Sequence, residues 1–369
     1  ATCVAFLMQQ AFSKRVVRLR GALEAHDCDA LLVSHLPGIY YLTGFHGSAG
    51  LALVERGATT LFVDGRYTAQ ARSQAAGCRV TVAKSSLLEA LAAHLGARRG
   101  RTVGFEAAWL TVAQLALLRR RCRPGTVRRW VATEGLVESL RSQKDAGEVR
   151  AIAAAAKLGC RVLEGILPLV RPGVREAELA GEIEYRMRKL GASGPAFETI
   201  VASGKRSALP HARPSTRKLR RNELVVLDMG AILGHYCCDL TRTIYLGNAP
   251  PRVQGWHQAV REAHQAAAAA LRPGVTGEQV DEAARAVLRK HGLERRFIHS
   301  SGHGLGLEVH EEPRLARGSK AVLKAGNVVT IEPGVYIEGA GGIRIEDDYV
   351  VTATGAERLT QACQDVFSL

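Results

Sequence analysis

Lysine and aromatic side chains are scarce in this chain of 369 residues. Lysine makes up 10 of the 50 basic residues, and Phe, Trp and Tyr together account for 5% of the sequence. Proteins that bind single-stranded nucleic acid stack its bases on aromatic side chains, so we expect no nucleic-acid partner. The formal net charge is nevertheless +15, with arginine clusters at 98–101, 119–123 and 217–221. A general preference for Arg over Lys explains this excess better than an anionic partner does, although both explanations stay open.

Long apolar runs and paired cysteine motifs are also missing. The apolar start, ATCVAFLMQQAF, is 12 residues long, and no basic residues precede it as they would in a signal peptide. A stretch of this length is too short to span a bilayer, so we expect no membrane segment. The eight cysteines show no CxxC spacing, which favours a reducing, cytoplasmic location.

The pattern of the sequence changes near residues 130–145. Between residues 14 and 135, helical segments such as VVRLRGALEAH alternate with short apolar segments that are typical of buried strands, namely DALLVSH, LALVE and TTLFVDG. This alternation predicts an α/β domain over residues 1–135. A long helical segment that starts near Leu140 opens a second domain, which we predict over residues 140–369.

The second domain contains an internal repeat. LVRPGVREAEL at 169–179 returns as ALRPGVTGEQV at 270–280, a spacing of 101 residues, and each copy places a Pro-Gly turn before a predicted helix. A matching strand follows each helix, LVVLDMG at 224–230 and NVVTIEPG at 327–334. The repeat therefore predicts two αββ halves that pack about a pseudo-two-fold axis.

Five side chains in this domain suit a metal centre, and each lies in a short distinctive segment. They are Asp228, Asp239, His303, Glu332 and Glu346. A carboxylate that ends a buried apolar strand is costly unless something compensates its charge. Four carboxylates and one imidazole suit a pair of divalent ions better than a single structural zinc. Because the repeat aligns Asp228 with Glu332, and makes Asp239 the counterpart of Glu346, we expect the acids to converge between the halves.

The glycines around His303 do not indicate a nucleotide site. SGHGLGLEVH lacks the lysine of a P-loop, and the chain contains no GxGxxG motif. We attribute these glycines to a close approach of the backbone beside a metal-bound His303.

With these segments in place, the chain resembles the pita-bread metallopeptidases of family M24 over residues 140–360. Ahead of them, YYLTGFHGSAG and LFVDGRYTAQA resemble the creatinase-type N-terminal domain. That domain narrows the resemblance to the proline-directed branch, Xaa-Pro aminopeptidase (aminopeptidase P) and Xaa-Pro dipeptidase (prolidase). The fold it implies is α+β, with a C-terminal pita-bread domain of pseudo-two-fold αββ repeats behind an α/β N-terminal domain. It also implies a homodimer.

The resemblance implies a scheme for the ligands. Two divalent metal ions would be bridged by Asp239 and Glu346. Asp228 would bind one ion only, and His303 and Glu332 would complete the other. Mn²⁺ is the best choice by resemblance, whereas an oxygen-rich set with one histidine also accepts Co²⁺ or Zn²⁺.

Further residues match catalytic positions of the family. His211 in LPHARPS and His310 in VHEEP match its two catalytic histidines. His299 matches a histidine of the proline-directed branch, and Arg344 matches an arginine near the metal pair. Glu332 would act as the general base, His310 would help move the proton to the leaving nitrogen, and His211 or His299 would stabilise the oxyanion.

One residue departs from the family pattern. Cys238 stands before Asp239, where relatives commonly carry serine. A thiol there is a candidate soft ligand. Strand alternation points it to the face opposite Asp239, so we expect a small packing residue instead.

The activity that the resemblance implies is hydrolysis of the Xaa-Pro bond at the N-terminus of short, proline-containing peptides, as in aminopeptidase P. Xaa-Pro dipeptidase is the alternative. A creatinase-like hydrolase or lyase and a non-catalytic binding module on the same fold are further alternatives. The complete ligand set argues against both.

Overall fold

The computed structural model describes residues 2–75, 77–97, 99–361 and 367–369, and of residues 2–9 it describes the backbone alone. The chain divides into two units, residues 1–141 and 142–369. Among the helices so described, none is both long and apolar enough to cross a membrane.

The first unit is built on a mixed six-stranded sheet of order β4-β3-β2-β1-β5-β6. Its strands are β1 (Ala30–Val33), β2 (Leu51–Glu55), β3 (Thr59–Val63), β4 (Arg79–Val82), β5 (Arg101–Glu106) and β6 (Val127–Thr133). Its helices are α1 (Thr2–Ala25), α2 (Leu36–Thr43), α3 (Thr68–Gln74), α4 (Leu87–Leu95), α5 (Val112–Arg121) and α6 (Leu136–Ser142). The apolar segments predicted as strands form β1, β2 and β3, and their side chains are almost entirely buried.

The second unit packs four helices on several small antiparallel sheets. The helices are α7 (Ala146–Ile166), α8 (Glu176–Lys189), α9 (Pro251–Ala270) and α10 (Gly277–Lys290). The strands before α9 are β7 (Gly194–Pro195), β8 (Ile200–Ser203), β9 (Leu224–Met229), β10 (Ala231–Leu233), β11 (Tyr236–Cys237) and β12 (Leu240–Tyr245). Those after α10 are β13 (Gly302–Gly304), β14 (Glu311–Leu315), β15 (Val328–Ile331), β16 (Gly334–Ile337), β17 (Gly341–Arg344), β18 (Asp347–Val351) and β19 (Ala356–Arg358).

Each half of this unit has its own apolar core. In one, α7 and α8 cover the sheet β12-β9-β8. In the other, α9 and α10 cover the sheet β14-β13-β15-β18-β19. This arrangement confirms the predicted fold class, in which two αββ halves follow an α/β unit along the chain.

The long helix that was expected from Leu140 onward is interrupted. α6 ends at Ser142, and α7 starts after Asp145. The side chain of Asp145 accepts hydrogen bonds from the backbone N–H groups of Gly147 and Glu148, so it caps a new helix. The helical periodicity continues through this segment, but the capping residue ends one helix and begins another.

Hydrogen bonds at the start of α8 and α10 show the repeat in three dimensions. In both halves the RPGV turn and the start of the helix that follows it pair with the segment before the central strand. The bonds are Gly173 N–H to Leu219 O and Glu176 N–H to Arg217 O in one half, and Gly274 N–H to Leu323 O and Gly277 N–H to Ala321 O in the other. The repeat of the sequence is therefore a repeat of the backbone.

The strand register corrects one predicted correspondence. β9 and β12 pair Asp228 with Thr241, and β15 and β18 pair Ile331 with Asp347. One more step of that register places Glu332 opposite Glu346. Since Asp228 corresponds to Glu332, the counterpart of Glu346 is Thr241, and not Asp239 as the sequence suggested. The sequence could not show this, because register depends on which backbone groups pair.

Five cysteines carry free thiols in the part of the chain that the structure describes. Those that the structure shows as free are Cys28, Cys78, Cys122, Cys237 and Cys238. Cys160 is fully buried in the core under α7. The cytoplasmic location stays a prediction.

Candidate metal centre

Strand ends bring the five predicted ligands together between the halves of the second unit. Asp228 lies one residue before the end of β9, Asp239 precedes β12, His303 lies in β13, Glu332 follows β15, and Glu346 stands between β17 and β18. The ligand atoms of Asp239, His303 and Glu346 all lie within 4.8 Å of one another. His303 Nε2 lies 3.6 Å from Oε1 of Glu332 and 3.8 Å from Oδ2 of Asp239.

The acids in this cluster destabilise one another's charged forms. Burial and the nearby charges of Glu346 and Asp228 raise the pKa of Asp239 well above its usual range. Burial, Glu332 and Asp228 do the same to the pKa of Glu346. Burial raises the pKa of Glu332 to about 8. A bound cation would stabilise the charged forms of carboxylates that lie this close together.

His303 is held ready to act as a ligand. Burial lowers its pKa to about 4, so the ring is neutral near pH 7. Its Nδ1 lies 3.0 Å from the carbonyl oxygen of Gly304, and donating there leaves the Nε2 lone pair facing the acids.

Two buried oxygens test whether this cluster fits metal ions. Oδ1 of Asp228 and Oδ1 of Asp239 are buried and have no hydrogen-bond partner among the described residues. A buried acceptor without a donor costs about 1–3 kcal/mol, more when it is charged. Divalent cations bound by oxygen and imidazole would satisfy both oxygens, so the residues present fit such ions.

Arg344 and Thr241 hold two of the acids in place. Arg344 is almost fully buried, and its Nη2 donates to Oδ2 of Asp228. Its Nε donates at 3.1 Å to Thr241 Oγ1, which itself donates at 2.6 Å to Oε2 of Glu346. These contacts place Arg344 beside the acids, as the resemblance implied.

His299 is linked to Arg344 through Tyr336, a residue that the sequence analysis missed. Arg344 Nη1 donates to the Tyr336 hydroxyl at 2.6 Å, and that hydroxyl lies 2.8 Å from His299 Nε2. His299 Nδ1 lies 2.8 Å from the carbonyl oxygen of Ser300, so the ring donates there and accepts from Tyr336. Burial, followed by the charge of Arg344, lowers the pKa of His299 to about 4. The sequence gives no sign of this role of Tyr336, because a buried aromatic residue in a short strand is usually an ordinary core residue.

His310 and His211 are exposed beside the cluster rather than part of it. The ring centroids of His310 and His303 lie 4.3 Å apart. Burial, followed by the charge of His211, lowers the pKa of His310. The charge of His211 also lowers the pKa of His299. Both exposed histidines are accessible to a ligand.

A fifth acid, Asp348, also escaped the sequence analysis. It is fully buried, and its Oδ2 accepts a hydrogen bond of 3.1 Å from the backbone N–H of Asp239. Burial raises its pKa well above the usual range. The signal in the sequence was the acidic pair that follows Glu346.

Cys238 packs as predicted. It is fully buried in the core under α7. Its Sγ accepts a hydrogen bond from the backbone N–H of Ala231 at 3.3 Å. Burial raises the pKa of this thiol well above the usual value, which suits a packing residue.

Comparison with known proteins identifies the family. The model of metallopeptidase family M24 matches residues 150–353, and that of the creatinase/prolidase N-terminal domain matches residues 15–143. The Xaa-Pro dipeptidase of Pyrococcus furiosus is 33% identical over 94% of this chain and 98% of its own length.

Two solved structures share the fold over most of their length. The Xaa-Pro dipeptidase from Bacillus anthracis has a TM-score of 0.92 at 35% identity, covering 97% of this chain and 100% of its own. The X-Pro aminopeptidase from Thermotoga maritima has a TM-score of 0.85 at 34% identity, covering 93% of this chain and 98% of its own. The chain is therefore a metallopeptidase that belongs to family M24, preceded by a creatinase-type N-terminal domain.

Proposed function

We propose that this metallopeptidase hydrolyses the bond before proline in short peptides. The hydrolytic chemistry is supported by the buried cluster, in which the acids repel one another and two oxygens have no hydrogen-bond donor among the described residues. The preference for proline is supported by the names of full-length relatives, which are Xaa-Pro peptidases.

The proposed cofactor is a pair of divalent ions, with Mn²⁺ as the first choice. Asp239 and Glu346 would hold both ions, Asp228 one, and His303 and Glu332 the other. When bound, such ions act as Lewis acids and lower the pKa of water to near neutrality.

Side chains of this protein would transfer the protons and stabilise the charge that develops on the substrate. Glu332, which reaches solvent more than the other acids do, would take the proton of the attacking water. His310 would pass a proton to the proline nitrogen, which must be protonated to leave. His211 would stabilise the carbonyl oxygen as negative charge develops. Both ring nitrogens of His299 already have partners in the protein, so positioning Tyr336 suits it better than contacting the substrate.

Dipeptides are the preferred substrates in this proposal. The sequence favoured aminopeptidase P-like activity, whereas several full-length relatives are named Xaa-Pro dipeptidases. The Thermotoga maritima structure, an X-Pro aminopeptidase, keeps the longer substrate as the second candidate.

Two matched substrates test this choice. Purified protein with Mn²⁺ is incubated with Met-Pro and with Met-Pro-Ala, and the release of proline and of methionine is measured. Faster cleavage of Met-Pro supports the dipeptidase, and faster cleavage of Met-Pro-Ala supports the aminopeptidase. Met-Ala serves as the substrate control and Glu346→Ala as the enzyme control. Release of neither amino acid, with or without metal, would refute the proposal.

The resemblance also leads us to propose a homodimer. Sedimentation equilibrium of the full chain tests it, since the monomer mass is 39.7 kDa. A single species at that mass would overturn the dimer.

A further inference from the structure

A basic cavity of about 440 Å³ lies in the second unit, and none of its lining residues belongs to the ligand cluster. Its charged lining consists of five basic side chains and one acidic one, namely Lys205, Arg206, Arg217, Arg220, Arg221 and Glu223. Cavities of roughly 300–1,000 Å³ hold small molecules in proteins, so this one has room for more than a single water or ion.

An ion pair forms one wall of this basic cavity. Arg217 Nη1 lies 2.7 Å from Oε1 of Glu223, and Nη2 lies 2.6 Å from Oε2. Gly204 has a positive φ of 56°, and a Cβ there would approach Glu223 Oε2 to 2.7 Å. The positive φ favours glycine at this position, and its lack of a side chain leaves room for the ion pair.

The other basic side chains of the cavity outnumber the acidic side chains that pair with them. Arg206 pairs with Glu176 at 3.1 Å. Lys205, Arg220 and Arg221 are exposed, and they have no ion-pair partner within the part of the chain that the structure describes. Like charges around one cavity repel each other, and a bound anion relieves that repulsion.

The second half of the repeat provides an internal comparison. Arg220 N–H donates to Glu223 Oε1 at 2.8 Å, and in the matching turn Lys324 N–H donates to Asn327 Oδ1 at 2.7 Å. The side chain of Asn327 therefore accepts the same backbone hydrogen bond as Glu223 does, and this turn forms without an ion pair. The backbone hydrogen bonds at the start of α8 and α10 place Arg217 and Ala321 at equivalent positions of the two halves. The same register makes Ala325 the counterpart of Arg221, so the fold does not require these two arginines.

We propose that this basic cavity is a binding site for a small anion that carries two or more phosphate groups. Guanidinium groups bind phosphate oxygens in bidentate geometry, and lysine adds a point charge. The proposal gives one of the arginine clusters of the sequence a specific role, and it does not depend on the substrate of the metal centre.

The test measures binding of inorganic triphosphate to the full chain by isothermal titration calorimetry, in buffer without added metal. We expect one equivalent to bind. The double variant Arg220→Gln/Arg221→Gln should weaken it at least tenfold, on the order of one or two lost charge-assisted hydrogen bonds. Both side chains are exposed, so this variant should keep the melting temperature of the wild type.

A matched control separates this site from the overall positive charge. Arg119→Gln/Arg120→Gln removes two charges from exposed positions on α5 and should leave binding unchanged. Equal weakening by both double variants, or no binding by the wild type, would overturn the proposal. Adenosine triphosphate is the second probe. Tighter binding than triphosphate that is lost in the Arg220/Arg221 variant supports a nucleotide ligand, whereas equal binding supports the phosphate chain alone.

Discussion

The hydroxyl of Thr241 donates a hydrogen bond of 2.6 Å to Oε2 of Glu346. These two residues are counterparts in the repeat, and their backbones also meet in an isolated antiparallel bridge. The pseudo-two-fold axis therefore passes between them. This contact, which is one of several that join the halves, also orients a proposed bridging ligand.

The first prediction concerns that hydroxyl. Thr241→Val keeps the shape of the side chain but removes the donor to Glu346 and the acceptor for Arg344. Losing an outer partner of a metal ligand lowers metal affinity about 10–100-fold, and we expect that loss here. Metal titration followed by calorimetry measures it. Thr241→Ser should restore near-normal affinity, and normal affinity in the valine variant would contradict the role of the hydroxyl.

The second prediction concerns charge repulsion at Asp239. Asp239→Asn should abolish binding of two metal ions and turnover, as Asp239→Ala and Glu346→Ala should also do. In the metal-free protein, however, the amide replaces a carboxyl group whose charged form is disfavoured by burial and by the neighbouring acids, so we expect the variant to be more stable than the wild type. Adding Mn²⁺ should reverse the order, because only the wild type gains binding energy. Scanning calorimetry with and without chelator tests this. A metal-free wild type that is more stable than the variant would show that the cluster is not strained.

The third prediction concerns the hydroxyl of Tyr336. Tyr336→Phe removes the link between Arg344 and His299 while keeping the ring. Tyr336 supports Arg344, which holds Asp228, and removing such an outer partner typically costs about 10–100-fold in activity, so kcat should fall on the order of tenfold or more. Metal content should stay at the wild-type level, because Tyr336 is not in the proposed ligand set. Steady-state kinetics and metal analysis of the same sample separate the two effects, and unchanged kcat would remove Tyr336 from the mechanism.

The fourth prediction concerns His310. His310→Ala should keep both metal ions and lose turnover, with kcat lower by about 100-fold or more, as for a general acid. His291→Ala is the matched control, because that partly exposed histidine pairs with Glu262 at 2.8 Å, away from the cluster. Full activity of His310→Ala would show that the proposed role is wrong.

The fifth prediction concerns the pH dependence of stability in the first unit. Burial raises the pKa of Glu106 to about 6, although the N–H groups of His35 and Ser34 donate to its Oε2. The protonated carboxyl is therefore favoured in the folded state. The stabilisation of the folded state by protonated Glu106 is fully present below pH 4.5, the usual pKa of a glutamate in an unfolded chain. It is lost as pH rises through about 6. A shift of this size corresponds to about 2 kcal/mol.

Glu106→Gln tests that sign. Between pH 4.5 and 7.5 the wild type should lose about 2 kcal/mol of unfolding free energy relative to the variant. Denaturant unfolding at both pH values measures the difference, and groups common to the two proteins cancel. A difference that does not change with pH would contradict the assignment.

Local pattern predicted the two αββ halves, because a capped helix and a buried strand each leave a signal in a few adjacent residues. Asp228 and Glu332 were found because each ends an apolar strand, where an acid is unexpected. The structure places Asp228 one residue before the end of β9 and Glu332 directly after β15. Thr241 and Tyr336 left no such signal, since a threonine or an aromatic residue in a short strand is ordinary.

The sequence by itself determined the family, the two kinds of unit and the repeat, since all three depend on the order of residue types along the chain. Only the tertiary structure decided which residues are partners across the repeat. It paired Glu346 with Thr241 instead of Asp239, and it linked Arg344 to His299 through Tyr336. The physical reason is that strand register and side-chain contacts arise from backbone pairing between distant segments, which no short stretch of sequence encodes.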